Sequence, residues 1–328
     1  MVDLSVDYKS GSEFVAPFPD VVSSCEEELD SRGFPCKVRV VHGGVHLKPL
    51  SGSPSNLSFL KDFPVRELDL SECPRSEIFS LANLQLNGLS LAGSMLSDLS
   101  PLKGMPLEWI DLSRTSISDL SPLCESPLQR VILQRTPVED LEALLESPIT
   151  DLDLGGSKIT NLRLIQKFPL TRLILLRTEV DNIYPLRQLS LEELDLSGTG
   201  VINIRHLRGM PLRILKCRAT AISDLSPLQG MPLEVLRLSG SAVTDLSPLA
   251  ESPVEEITLT GLTIENLEPL SRMPLRRLRL TAKNFSEDQL FFLSGLQQLE
   301  FLGEVGDPED QTPEIFLNRV ASGHCETN

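Results

Sequence analysis

Apolar and polar residues along this chain follow a pattern that returns every 21 residues from about Gly43 to Ser294. The segments "PLEWIDLSRTSISDLSPLCES" from Pro106 and "PLEVLRLSGSAVTDLSPLAES" from Pro232 show the repeat in register. Apolar residues stand at the second, fifth and seventh places, and the apolar–polar alternation from the fifth to the seventh place is typical of a β-strand. The pattern therefore predicts one short strand in each repeat.

The second half of each repeat has a different character. Two further apolar columns recur there, as at Ile117 and Leu120, and proline follows them in many repeats, as at Pro122. Proline disrupts an α-helix and 21 residues leave little room for one, so short turns or pieces of 3₁₀-helix are predicted instead. Neighbouring repeats would share one continuous apolar core.

This series of repeats resembles the leucine-rich-repeat family, and the half-repeat "SDLSPL" is similar to the short repeats of bacterial internalin-type proteins. The resemblance covers about three quarters of the chain. It implies an α/β solenoid, namely a right-handed superhelix with a parallel β-sheet on its concave side and short turns or 3₁₀ pieces on its convex side. Helical caps are expected to cover both ends.

The ends of the chain depart from the repeat. "FPDVVSSCEEELDSRGF" predicts an amphipathic helix capped by Asp20, and "KVRVVHGGVHLKPL" predicts a hairpin or an irregular first coil. Ser286 and Gln289 form a capping-box pattern, and Pro313 is typical of a helix start. The predicted division is an N-terminal tail and helical cap at 1–42, repeats at 43–294, and a last strand with a C-terminal helical cap at 295–328.

Two polar columns inside the repeat are typical of structural roles. Hydroxyl groups that could satisfy the turning backbone follow the strand, with one cysteine among them, at Cys73, Ser94, Thr115, Thr136, Ser157, Thr178, Thr199, Thr220 and Ser241. Four places later comes a column whose side chains are expected to accept hydrogen bonds from turn amides: Asn56, Asp98, Asp119, Asp140, Asn161, Asn182, Asn203, Asp224, Asp245 and Asn266.

Charge narrows the range of partners. The chain has 30 Lys and Arg against 46 Asp and Glu, a net charge of −16. Such a field repels phosphates, which makes nucleic acid or an anionic membrane an unlikely general partner. A basic or mixed-charge protein or peptide fits better.

The sequence has few features that indicate a cellular compartment or a chemical activity. No stretch approaches the roughly 20 apolar residues that span a bilayer, and the start lacks an export signal. The six cysteines show no C-x-x-C spacing, which favours a reducing cytoplasm and leaves open whether Cys25 and Cys36 pair. His42 and His46 would lie too far apart on one strand to share a metal. We therefore expect no metal, no cofactor and no enzymatic activity.

A second resemblance concerns "DLSPLKGMPLE", "KCRATAISDLSPLQGMPL" and "LRLTAKNFSEDQLFFLSGLQQLEFLG". These segments are similar to the repeat tails of some bacterial serine/threonine protein kinases. The resemblance implies a ligand-sensing or regulatory domain of a signalling protein. The chain has no kinase glycine-rich loop, H-R-D or D-F-G motif, so the catalytic domain is absent from it.

The residues that flank each strand centre should face outward on the concave side, because successive strand residues alternate faces. The predicted function is a non-enzymatic scaffold that binds a protein or peptide there, with self-association left open. A favourable cross-strand ladder would explain the charged members equally well. The predicted contact residues are Trp109, Arg130, Ile132, Asp151, Asp153, Arg172, Ile174, Leu176, Glu193, Asp195, Lys216, Arg218 and Arg237.

Overall fold

The computed structural model describes residues 19–50, 56–71, 73, 78–308 and 311–322. The chain divides into two compact units, Met1–Ile149 and Thr150–Asn328. In each unit one strand and one 3₁₀ turn make up a coil of the repeat, which is the architecture of a leucine-rich-repeat α/β solenoid. The predicted strands and 3₁₀ pieces are thus confirmed in both units.

The first unit begins with a helix and a hairpin. Strands β1 and β2 pair antiparallel, and β2 to β6 pair in parallel with their neighbours in chain order. His42 lies in the hairpin turn between β1 and β2, so the expectation that it shares a strand with His46 was wrong. The elements are α1 (Pro19–Ser31), β1 (Cys36–Val41), β2 (Gly44–Pro49), β3 (Val65–Asp69), β4 (Gly88–Ser90), β5 (Trp109–Asp111) and β6 (Arg130–Ile132).

The described part of the second unit carries eight strands, and neighbours in chain order pair in parallel. Because partners across the coils are 21 residues apart through β13, the register repeats with the sequence. The elements are β7 (Asp151–Asp153), β8 (Arg172–Ile174), β9 (Glu193–Asp195), β10 (Ile214–Lys216), β11 (Val235–Arg237), β12 (Glu256–Thr258), β13 (Arg277–Arg279), α2 (Glu287–Ser294), β14 (Phe301–Gly303) and α3 (Pro313–Ala321).

The asparagine and aspartate column has the structural role expected of it. Each of its ten side chains accepts a hydrogen bond from the backbone N–H two residues later, at 2.8 to 3.0 Å. The acceptor oxygen satisfies an amide where the chain enters its 3₁₀ turn. Asparagine and aspartate make this bond equally well.

The hydroxyl column also serves the backbone. Five threonines donate to the carbonyl oxygen three residues earlier, as Thr199 does to Leu196 at 2.6 Å. Ser157 and Ser241 instead accept from backbone amides two residues later. The buried Ser94 hydroxyl departs from the pattern, since it has no partner among the described residues.

The position before each hydroxyl has a left-handed backbone. Glycine is common there, as at Gly198 and Gly240, but Arg114, Arg135, Arg177 and Ala219 adopt positive φ values of 58°, 53°, 55° and 49°. A residue with a Cβ is strained in this region by roughly 1 kcal/mol or more. From Gly93 to Gly261 this position is left-handed in every coil, whatever its side chain.

Both predicted caps contain helices. The sequence predicted that Asp20 caps helix α1. The helix begins at Pro19, so Asp20 is its second residue and does not stand at the capping position. The capping box of Ser286 and Gln289 is present at the start of α2. Thr312 caps α3, whose Phe316 is buried.

Candidate functional site

The outward residues of β7 to β13 form a continuous surface of the second unit, which we call the strand face. In each of these strands the central residue is buried, and at least the first of its two neighbours keeps part of its side chain in solvent. Leu215, for example, is buried between the half-buried Ile214 and Lys216. The first place of each strand therefore faces outward, as strand geometry predicts, whereas the third place is buried in β7, β8, β9 and β12.

Four charged side chains on the strand face form a ladder across adjacent strands. Arg172 Nη1 lies 2.7 Å from Asp151 Oδ1, and its Nε lies 3.0 Å from Glu193 Oε2. Glu193 Oε1 accepts from Lys216 Nζ at 2.7 Å. Two acids and two bases alternate here, so this ladder is locally neutral and its side chains are fixed by one another.

The ladder alters the pKa values of its central members. Burial alone would raise the pKa of Glu193, but the bonds from Lys216 and Arg172 outweigh it and lower that pKa. Burial alone would lower the pKa of Arg172, but Asp151 and Glu193 raise it. Both groups therefore stay charged at neutral pH.

Three predicted contact residues are withdrawn from solvent. Asp153 and Asp195 are buried, and each accepts from the amide two residues later, Gly155 at 3.0 Å and Ser197 at 2.8 Å. Ile174, between them on β8, is only 5% exposed. These side chains support the strand face from within, and the surface a partner could touch lies beside them.

Exposed residues border the ladder beyond the ends of β8 and β10. Leu176 is 36% exposed, and Arg218 is exposed as well. Arg177 reaches across the next coil, where a Cβ on Gly198 would lie 3.2 Å from its Cγ. Arg237, farther along, pairs with Glu256 at 2.8 Å. The accessible surface thus combines several arginines with the exposed Leu176 and the half-buried Ile214 and Val235.

The remaining predicted contacts, Trp109, Arg130 and Ile132, lie in the first unit. The indole of Trp109 covers Gly88 of the neighbouring strand, where an added Cβ would lie 2.0 Å from its Nε1. Trp109 and Ile132 are half-buried, and Arg130 is exposed. The glycine that makes room for this ring is the signal that sequence reasoning missed.

Replacing Gly88 with alanine is expected to push the indole of Trp109 off the strand. The chain has one tryptophan, so its fluorescence emission should shift to longer wavelength as the ring enters water. The free energy of unfolding should fall by about 1 kcal/mol, because the ring can swing away instead of straining the backbone. Ser90→Ala, on the same strand, should leave the emission unchanged, and an unchanged emission in Gly88→Ala would contradict the packing.

Reactive groups are sparse on the described part of the chain. No group of three or more His, Cys, Asp or Glu residues there could hold a metal ion. Burial, with Cys73 and Glu26 nearby, raises the pKa of Cys36 to about 12, and burial also raises the pKa of Cys25 and Cys217. Thiols of this kind are poor nucleophiles at neutral pH. Cys25 and Cys36 do not pair with each other.

No family model and no curated protein sequence matches the chain. An internalin, InlF from Listeria monocytogenes, aligns with a TM-score of 0.60 at 20% identity, over 79% of this chain and 86% of its own. The leucine-rich repeat domain of APL1 gives 0.51 at 18%, over 70% and 65%. TLR13, solved in complex with ssRNA13, gives 0.50 at 20%, over 77% and 42%.

Identities this low establish the fold and nothing finer. The chain has the leucine-rich-repeat fold and its solved neighbours include internalins, as the sequence predicted. Proteins of this fold are generally protein-binding scaffolds. Among the described residues no helix is long and apolar enough to cross a membrane.

Proposed function

We propose that this leucine-rich-repeat chain is a non-enzymatic scaffold whose strand face in the second unit binds an exposed segment of a protein or peptide. The observation that carries the proposal is the ladder of Asp151, Arg172, Glu193 and Lys216, fixed by bonds of 2.7 to 3.0 Å and still partly open to solvent. Surfaces whose side chains are already ordered lose little conformational entropy on binding.

Composition beside the ladder supports a protein partner. Interfaces are enriched in arginine, and the strand face and its border offer Arg172, Arg218 and Arg237, with the apolar Leu176 among them. The ladder itself is nearly neutral, so a partner with both acidic and basic groups can exchange one of its ion pairs for another. Trp109, Arg130 and Ile132 are proposed as contacts on the first unit by the same argument.

The test is affinity capture from the native lysate, with partners quantified by mass spectrometry. Arg172→Glu places a third acid between Asp151 and Glu193, and should reduce capture of a specific partner at least roughly tenfold, as the loss of a central charged contact does. Its matched control is Arg213→Glu, which also breaks an ion pair, with Glu234 at 2.8 Å, but outside the strand face.

Circular dichroism must show both variants folded before capture is compared. Equal retention of every partner by Arg172→Glu and the wild type would remove the strand face from the interaction. A regulatory role in a bacterial signalling protein such as a kinase, self-association and a cytoplasmic location stay predictions of the sequence.

A further inference from the structure

A run of cations occupies the turns of three consecutive coils in the second unit, and we call segments 161–167, 182–188 and 203–209 the basic turns. They contain no carboxylate and five basic residues: Arg163, Lys167, Arg187, Arg205 and Arg208. The equivalent segments before and after them in the sequence, 140–146 and 224–230, contain acidic residues and no basic one. The basic turns thus carry an excess of positive charge in a chain whose net charge is −16.

The turn-capping column changes in the same three coils. Its residues there are Asn161, Asn182 and Asn203, whereas Asp140 precedes and Asp224 follows them. The three asparagines accept from the backbone at 2.9 Å, and the two aspartates at 3.0 and 2.8 Å. Because the bond is the same, the turn does not require an amide. The asparagines differ from aspartate in leaving out a negative charge where the cations gather.

An exposed aromatic ring stands at the centre of the basic turns. The 3₁₀ turns of the three coils pack side by side, and Tyr184, in the middle one, is 49% exposed. Arg187 Cζ lies 3.9 Å from the centre of its ring, and the His206 ring meets it edge-on at 5.1 Å. Arg205 Nε donates to His206 Nε2 at 3.1 Å. Arg187 thus lies on the Tyr184 ring directly, and Arg205 is bonded to the His206 ring that meets Tyr184.

The cations of the basic turns differ from those of the strand face in their ion pairing. Arg172 and Lys216 on the strand face are paired with carboxylates. None of the five cations of the basic turns forms an ion pair with a carboxylate among the described residues, and all five are exposed. The charge of Arg208 nevertheless contributes to lowering the pKa of Asp224 in the following turn. Burial, Arg205 and Arg187 together lower the pKa of His206, so the positive charge at neutral pH comes from arginine and lysine alone.

We propose that the basic turns bind a short acidic segment of another protein, whose anionic groups are carboxylates or phosphoserine esters. Arginine forks match the two oxygens of either group. Three coils spaced about 4.8 Å apart span on the order of 10 Å, which suits a few residues. A long polyanion such as a nucleic acid or bilayer would extend over the acidic turns that follow, at Asp224 and Asp245, and be repelled.

The first test exploits the asparagine column. Fluorescein-labelled decapeptides rich in glutamate, rich in phosphoserine, or neutral are titrated with the protein at low ionic strength, with fluorescence anisotropy as the readout. Asn182→Asp with Asn203→Asp should weaken binding of the anionic peptides roughly fivefold to tenfold, since each change adds a negative charge near the ligand. Asn56→Asp with Asn266→Asp makes the same change in other coils and should have no effect.

The second test reverses the cations themselves. Arg187→Glu with Arg205→Glu should weaken binding at least roughly thirtyfold, and Lys61→Glu with Lys103→Glu, which changes the net charge equally, should not. Rising salt should weaken the wild-type complex. Preference for the glutamate or the phosphoserine peptide would identify the anionic group. Binding of the neutral peptide as tightly, equal weakening by the control pairs, or tighter binding of a single-stranded oligonucleotide or an anionic phosphatidylserine vesicle would overturn the proposal.

Discussion

Replacing Phe316 with alanine is expected to lower the free energy of unfolding by about 3–5 kcal/mol, as deletion of a fully buried aromatic side chain does. Phe316 is 0% exposed in α3, which packs against β14 and α2. The same helix is tied down by Arg319, which pairs with Asp307 at 2.6 Å and lies over the Phe316 ring. Loss of the ring leaves a cavity under the helix that covers the last strand.

Denaturant unfolding followed by circular dichroism would measure this loss. Ile315→Ala, one residue earlier in α3, is the matched control, because Ile315 is 58% exposed and its truncation should change stability by less than about 0.5 kcal/mol. Hydrogen exchange should show protection lost first in β14, the strand that α3 covers. Equal stability of the two variants would mean that α3 does not act as a cap.

Replacing Gly44 with alanine is the second large change, although Gly44 lacks the positive φ that usually marks a required glycine. An added Cβ would lie 2.1 Å from the carbonyl oxygen of Pro64, the oxygen that accepts from Val45 N–H at 2.9 Å. Backbone atoms cannot swing aside as a side chain can, so β2 must move away from β3. We expect a loss of about 1–3 kcal/mol or more.

The adjacent Gly43 provides the comparison. It has a φ of +74°, but an added Cβ would meet only Arg66 Nε, at 3.9 Å. Gly43→Ala should therefore cost only the roughly 1 kcal/mol of a left-handed alanine. Thermal and urea unfolding of the two variants would test the order. A larger loss for Gly43→Ala would contradict the close approach of Gly44 to Pro64.

The repeat could be predicted in detail because its period forces equivalent residues into equivalent places. Asn182 and Asp224 were expected to bond turn amides, and they do so at 2.9 and 2.8 Å. The outward columns followed from the alternation of strand residues in the same way. Such predictions succeed where neighbouring coils carry the same kind of residue and the geometry of one coil determines that of the next.

The extent to which a side chain in the outward columns is buried depends on the size and direction of the side chains in the neighbouring coils. Ile174 was expected to be accessible, yet it is buried between Asp153 and Asp195, which turn inward to cap their own strand ends. Trp109 rests on Gly88 because that glycine leaves space for an indole. A column read down the sequence shows which direction a side chain takes but not how far its neighbours cover it.

The cations of the basic turns can be seen in the sequence, but the sequence does not show that they lie together. Arg187 and Arg205 are separated by 18 residues, and their common association with Tyr184 and His206 appears only when two turns pack together.

The position with a left-handed backbone could also be predicted only in part. Glycine at Gly198 indicates it, whereas Arg177 gives no sign of a positive φ.

The constant register of the coils bears on how such a chain can change over evolutionary time. Bonds between coils join equivalent positions, as Ser147 Oγ to Ser126 O and Arg172 to Asp151 do at a separation of 21 residues. Duplication or loss of twenty-one codons would give every such group a chemically similar new neighbour, and recombination within the gene would conserve the fold. Gain or loss of one coil would change the residues of the strand face and of the basic turns in a single step. A new binding specificity can therefore arise while every variant along the way still folds.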